Sequence, residues 1–494
     1  MPSLAREIAA LPGSTATVED VQTKLEAISG RIVFPKGLTA ATREAGGEPL
    51  VTGRPRPFDE STLRRSVKTM ATLGATRVLE RAVEKQVEGT AGTTTGRTAV
   101  AHTDMVDQPY FTKELTLAGP IGSLNNKMLA GIYLGVTTVR VGGGPVLVYH
   151  LSWHKPASPL VDALQDLHAS PSRHAWLTAH LRRHTWDRGG NGRPVLRWAY
   201  AQQIPYLTVS NGWVYLSSQQ APLGHLLSHL PVFVRRDVSL EPATSTPVAQ
   251  SPRVVIFPAH PTKGTFGAHG LRYRTNGALE GDEVLRMDEV YKARWPEAEN
   301  VFKALKGVGF CVNRDRVLVL ATSRGTDGAI QRLEARDQAC QGKIEALRKQ
   351  PPTTRVLAKI EREGHKQEDL RRQSNDLKAK PLFKKMRPST GLELMCKYLL
   401  ALLTNALALV LALSPIEAVR ALTPALVRAL LWGRSATADV TPRGVTLWID
   451  PVVGARQRLL QVELLRLFNN EAPLWLHGAR IRLCLSQPGG IDSS

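Results

Sequence analysis

A chain of 494 residues is long for a single hydrophobic core, and the usual domain size predicts three or four units. Lys and Arg outnumber Asp and Glu by 64 to 43, giving a net charge of +21 and a pI near 10.1, which implies a polyanionic partner without saying which polyanion. The four cysteines (Cys311, Cys340, Cys396 and Cys484) are scattered with no Cys-x-x-Cys pair, so neither a zinc knuckle nor a disulfide framework is indicated and a reducing cytoplasm fits.

The first residues lack a basic segment followed by an apolar core, so no export signal is expected. A helix is predicted from Thr17, with Asp20 three residues on as its capping partner, and a second helical region after Asp59 that Gly74 divides. That pair, residues 61–74 and 75–86, has two readings. It is either a helix-turn-helix whose Arg64, Arg65 and Lys68 face DNA phosphate, or an amphipathic pair with a solvated basic face. Glu88 to Arg97 reads as a linker.

The middle of the chain carries the most regular pattern. An apolar run at 98–103 leads into Asp104. Val136 to Val141 and Val146 to Trp153 are β-rich and flank Gly142-Gly-Gly144-Pro145, which predicts a hairpin. Helices are expected over Leu160 to Leu167 and Pro194 to Gln203, and strands over Leu181 to Trp186 and Ile204 to Val209. Asp187 follows the first of these strands and opens Asp187-Arg188-Gly189-Gly190, where glycines leave the backbone open to a phosphodiester. Pro231 to Val238 and Arg253 to Phe257 are further strand candidates, read as a β-rich insertion at about 211–285. Next comes a basic, aromatic helix from Tyr291 to Lys306 with acid in its first turn.

Ile330, Leu333, Asp337, Cys340, Ile344 and Leu347 form a helical seam that Pro351-Pro352 stops, and a second polar helix runs from Arg355 to about Lys380. Residues 331–390 hold 16 Lys or Arg against 8 Asp or Glu, either a basic arm or a solvated face. The apolar run from Tyr398 to Leu413 falls short of the roughly 20 residues that span a bilayer and reads as a buried helix. Strands are expected at Val445 to Ile449 and Ala479 to Leu485, around a helix from Leu459 to Phe468.

Trp186-Asp187-Arg188-Gly189-Gly190, followed by an apolar helix and the strand from Ile204, resembles the second-acid segment of bacterial insertion-sequence transposases of the DDE class. Tyr291 to Lys306 resembles their signature helix, Tyr-(2)-Arg-(3)-Glu-(6)-Lys: Tyr291 and Arg294 fit, as does the spacing of Glu299 to Lys306. Asp104-Met-Val-Asp107-Gln-Pro-Tyr110 resembles the first-acid segment more weakly. Four residues separate Arg294 from Glu299 where the family has three, with Pro296 between them, so the helix restarts there or absorbs a bulge. Glu297 then shadows Glu299, and Asp107 shadows Asp104.

The resemblance implies an α/β fold: a ribonuclease H-like catalytic core with a β-rich insertion, flanked by an N-terminal helical domain and C-terminal helical regions. The expected limits are 1–97, 98–310, a basic helical or coiled arm over 311–387, and 388–494. In such a core an Asp on the first strand meets a second beside the fourth. Asp104, Asp187 and Glu299 would hold two Mg²⁺ or Mn²⁺ ions, while Arg188, Tyr291, Arg294 and Lys306 grip DNA. The implied partners are transposon-end and target duplexes, with a dimer in the complex, at the bacterial nucleoid and away from membranes. Two other classes stay open: a catalytically silent DNA-binding descendant, and a structure-specific nuclease on the same core. His180 and His184 have the spacing of a helical metal pair, but no Glu-x-x-His pattern or nearby cysteine accompanies them.

Overall fold

The computed structural model describes residues 1–32, 52, 54, 56–92, 96–109, 119–124, 127–154, 160–187, 192–215, 224–225, 231–236, 253–258, 269–276, 281–294, 300–307, 316–321, 326–379, 383–388, 390–431, 436–441, 444–476 and 479–486. The chain divides into two compact units, Met1–Asp315 with Thr390–Ser494, and Arg316–Ser389.

The larger unit opens with helices α1 (Pro2–Ala9), α2 (Val18–Ile32), α3 (Glu60–Leu73) and α4 (Ala75–Thr90). The Thr17 hydroxyl accepts the Asp20 amide at 3.1 Å, the cap its spacing predicts. Gly74 separates α3 from α4 at φ +97°, a left-handed conformation that glycine adopts without a Cβ penalty. A linker was expected over residues 88–97, yet α4 runs on to Thr90, and Val87 and Ala91 are buried in the same core as Ala99 and Ala101. The core therefore crosses the boundary drawn at residue 97.

The sheet is built from β1 (Ala99–Pro109), β2 (Gly119–Leu124), β3 (Lys127–Val141), β4 (Val146–His154), β5 (Leu181–Trp186) and β6 (Tyr206–Tyr215), with helices α5 (Leu160–His168), α6 (Pro171–His180) and α7 (Arg193–Ala201) between its strands. β3 pairs antiparallel with β1 on one side and with β4 and β2 on the other. Next to β1 comes β5, parallel to it, and then β6, parallel to β5. Leu164, Leu167, Leu177, Trp186, Leu196 and Tyr206 close the core beneath, all fully buried. Close approach of helix to sheet requires Gly135: a Cβ there would lie 2.7 Å from Ser152 Oγ and 3.1 Å from Ala163 Cβ.

The expected β-rich insertion extends this same sheet. β7 (Gly224–His225), β8 (Pro231–Arg236), β9 (Arg253–Pro258) and β10 (His269–Thr275) join it in the order β6-β10-β9-β8-β7. α8 (Met287–Lys292) packs Met287 against Leu207 and Tyr273, and α9 (Asn300–Gly307) follows.

The smaller unit pairs β11 (Arg316–Ala321) with β12 (Phe383–Pro388) and holds two long helices, α10 (Thr326–Arg348) and α11 (Thr354–Lys378). Ion pairs Arg371–Asp337 (3.1 Å) and Lys378–Glu334 (2.9 Å), with the amide contact Gln367–Gln341 (3.0 Å), show that the helices run antiparallel. Cys340, Ile344 and Leu370 are the buried apolar residues of this hairpin, so its seam is thin.

The larger unit resumes with α12 (Thr390–Ala412), α13 (Glu417–Arg420) and α14 (Pro424–Leu431), then β13 (Ala436–Thr441), β14 (Gly444–Ile449), α15 (Ala455–Arg466), β15 (Leu474–Leu476) and β16 (Ala479–Leu485). The last four strands form a separate sheet ordered β13-β14-β16-β15. Among the described residues, one helical stretch, Glu393–Ala412, is long and apolar enough to cross a membrane; half of it is buried inside the protein. Its polar residues meet the edge of β4. Asn405 accepts the Val148 amide and donates to the Val148 carbonyl, each at 2.8 Å, and Tyr398 accepts the Leu151 amide at 3.1 Å and donates to its carbonyl at 2.8 Å. α12 thus satisfies a strand edge that would otherwise invite another chain.

Candidate active site

Asp104 lies within β1 and Asp187 directly follows β5. The parallel register pairs His102 with Thr185 and Thr103 with Trp186, so the next residue along each chain brings Asp104, within β1, close to Asp187, just past the end of β5. Asp104 is half-buried, and its Oδ1 accepts the Met105 amide at 2.8 Å. The Asp187 side chain is 54% exposed, which leaves it accessible to a ligand.

Several contacts fix the strand end that carries Asp187. Trp186 is fully buried and stacks on Tyr206 with ring centroids 5.4 Å apart. The Thr208 hydroxyl donates to the Trp186 carbonyl at 3.2 Å, and the Tyr291 hydroxyl reaches the same carbonyl at 3.5 Å. Tyr291 also meets Tyr273 edge-to-face. Arg294 is 8% exposed; its Nη2 lies 3.8 Å from Asp187 Oδ1 and its guanidinium 5.6 Å from the centre of the Tyr291 ring. The end of α8 and the turn after it therefore fold Tyr291 and Arg294 onto the end of β5.

Below the carboxylates is a polar layer that periodicity did not reveal. His184 Nε2 meets the Thr103 hydroxyl at 2.7 Å, Thr103 meets Thr137 at 2.8 Å, and His102 pairs with Thr185, all buried. These bonds cross from β5 through β1 to β3, tying together the strands that end in Asp187 and hold Asp104. Burial pushes the His184 imidazole well below its usual pKa, which favours the neutral form. The available sequence signal was polar residues within predicted strands, at 102–103 in the apolar run and at 184–185 before Asp187.

Glu299, its neighbour Glu297, Trp295 and Arg188 lie outside the described residues, as does the restart or bulge expected at Pro296. Glu299 immediately precedes α9, whose Phe302 is buried and whose backbone carries Lys306. Arg64, Arg65 and Lys68 lie on α3, far from these segments in sequence; Arg64 is ion-paired to Glu60 at 2.6 Å, while Arg65 and Lys68 are exposed. The helical pair suggested by His180 and His184 does not form, because His180 ends α6 and His184 lies within β5, where helical spacing no longer applies. His174 instead meets His168, Nδ1 to Nδ1, at 3.0 Å, and burial holds the His168 pKa down at about 4.

By donor chemistry, two carboxylates at adjoining strand positions fit a hard divalent cation, which takes oxygen ligands and retains water. Among the described residues, no group of three or more His, Cys, Asp or Glu side chains gathers to hold a metal. No family model matches the chain, and no curated protein matches it.

Proposed function

We propose that the chain is a DNA transposase of the DDE class, a metal-dependent phosphoryl-transfer enzyme on a ribonuclease H-like core, acting in the nucleoid on transposon ends and target DNA as a dimer. The observation that carries this reading is the parallel register of β1 with β5, whose last pair, Thr103 with Trp186, is followed by Asp104 within β1 and by Asp187 just past β5, in a sheet where β4 pairs with β3, β3 with β1, β1 with β5 and β5 with β6. That order and those directions support the core, and the docking of Tyr291 and Arg294 against the end of β5 supports the signature-helix resemblance.

Asp104 and Asp187 would hold Mg²⁺ or Mn²⁺, with Glu299 completing the set by resemblance. The cation would supply charge neutralisation on the scissile phosphate and a more acidic attacking water or 3′-hydroxyl. The chain's own residues do the rest. The His184–Thr103–Thr137 layer holds the two carboxylate-bearing strands in register, Trp186 and Tyr206 keep water from beneath them, and Lys306 and Arg188 bind phosphate by resemblance. No ATP is required.

The test is cleavage of a duplex carrying the sequences that flank the gene. Mg²⁺ or Mn²⁺ should support it, and Ca²⁺, which relaxes octahedral geometry, should permit binding without efficient cleavage. Cleavage that persists in excess chelator would refute the proposal.

A further inference from the structure

Arg294 is read from sequence as a residue that grips DNA, yet its guanidinium is buried and directed at Asp187. A buried cation is tolerated where an anion or polar groups compensate it, and here both the Asp187 carboxylate and the Tyr291 ring face serve. Asp187 itself remains half-exposed, so a ligand can approach from the side Arg294 does not cover. A divalent cation binding Asp187 would meet a guanidinium already neutralising that carboxylate. Two cations of like sign cannot share one carboxylate without repulsion in a partly desolvated site.

We infer that Arg294 is the resident counter-ion of Asp187 in the metal-free chain, and that duplex DNA and a divalent cation bind with positive coupling because a DNA phosphate gives Arg294 another anion and frees the carboxylate. This rests on the carboxylate site proposed above. It assigns Arg294 a positioning role: the residue keeps the Asp187 rotamer and the strand end in place until both partners are present. The chemistry suits arginine, whose planar fork transfers from carboxylate to phosphate without losing its charge. Linkage makes the effect reciprocal, so DNA tightens the metal by the factor by which the metal tightens DNA.

The experiment is Mn²⁺ titration, read by the electron paramagnetic resonance of free ion, on the full chain with and without a blunt duplex of arbitrary sequence. Without DNA, Arg294→Ala should bind Mn²⁺ about tenfold more tightly than the unaltered chain, within the usual span of coupling between sites. Arg294→Lys should restore the weaker affinity, which a merely structural defect would not. DNA should tighten Mn²⁺ for the unaltered chain and not for Arg294→Ala. If Arg294→Ala destabilises the fold, Arg294→Gln keeps a polar group of similar bulk and is expected to behave alike, while the DNA-dependence of the unaltered chain needs no variant. Loss of Mn²⁺ binding in Asp187→Ala with unchanged affinity in Arg294→Ala and Arg294→Gln would overturn the counter-ion role and leave the carboxylate site standing. Absence of DNA-dependent tightening in the unaltered chain would overturn the coupling. Unchanged Mn²⁺ binding in Asp187→Ala would overturn the carboxylate site and this inference with it.

Discussion

Arg173 is the residue on which most buried charge converges. It is 3% exposed and pairs with Glu80 at 2.7 Å and Glu84 at 2.5 Å, while donating to the carbonyls of Leu167 and Asp166. Glu80 also meets His150 at 3.2 Å, so α4, β4 and α6 share one network. Burial acts to raise the Glu80 pKa, but the hydrogen bond and charge of His150 together with Arg173 outweigh it and hold the carboxyl at about 2. For Glu84 burial wins and the pKa rises, while burial lowers those of His150, His168 and His184. A histidine with a lowered folded pKa gives stability that is present above the unfolded value of 6.5 and is lost as pH falls through the folded value, about 4 for His168. Glu80 adds a loss between its ordinary 4.5 and about 2, and Glu84 opposes it. Thermal unfolding followed by circular dichroism should therefore show a melting temperature that declines from about pH 6.5 downward. Arg173→Met should cost about 3–5 kcal/mol at neutral pH, since it leaves the buried Glu84 and the half-buried Glu80 without their cation. A loss below about 1 kcal/mol would place the network's contribution at the surface level. Neither this cluster nor the His184–Thr103 pair was legible in the sequence, because Arg173 lies 89 residues from Glu84 and His184 lies 81 from Thr103, and no local pattern links them.

At the level of elements, legibility followed periodicity. β4 and α5 were readable because an apolar run of strand length and an amphipathic turn need no partner to be recognised. α6 was missed, since it begins at Pro171 and spreads His174, Trp176 and His180 around a weakly sided surface. β2 and the first half of β3 were also missed, their glycines resembling a loop. α12 was anticipated as a buried helix over its apolar run, though it begins earlier, at Thr390. What composition could not disclose is that Asn405 and Tyr398 serve the backbone of β4. Asn405→Leu removes both bonds to Val148 and leaves a buried amide and carbonyl unpaired, which should cost about 2–3 kcal/mol. Hydrogen exchange should report it locally, with faster exchange at the Val148 amide than at the distant amides of β14. Unchanged protection at Val148 would show that α12 covers the edge by packing alone.

At the scale of the molecule, an excess of 64 basic over 43 acidic residues acquires meaning only if part of it forms a phosphate-binding surface. Of the α3 cluster, Arg64 is already paired to Glu60, so Arg65 and Lys68 are the more available cations. Each phosphate neutralised contributes about −0.9 to the slope of log affinity against log salt. Replacing Arg64, Arg65 and Lys68 together should weaken binding to any duplex and flatten that slope by about 2, if α3 faces DNA. An unchanged slope would move recognition elsewhere, with the basic arm of residues 331–390 the next candidate. The sheet order gives the account its centre, because the pairing of β1 with β5 brings Asp104 close to Asp187, a proximity that 82 intervening residues hide from any local sequence periodicity. The most direct measurement is single-turnover cleavage of the gene-flank duplex in Mg²⁺ by Asp104→Ala, Asp187→Ala and Glu299→Ala, with DNA affinity measured in parallel. The account predicts that all three abolish cleavage and retain binding; full cleavage by Asp187→Ala would contradict it.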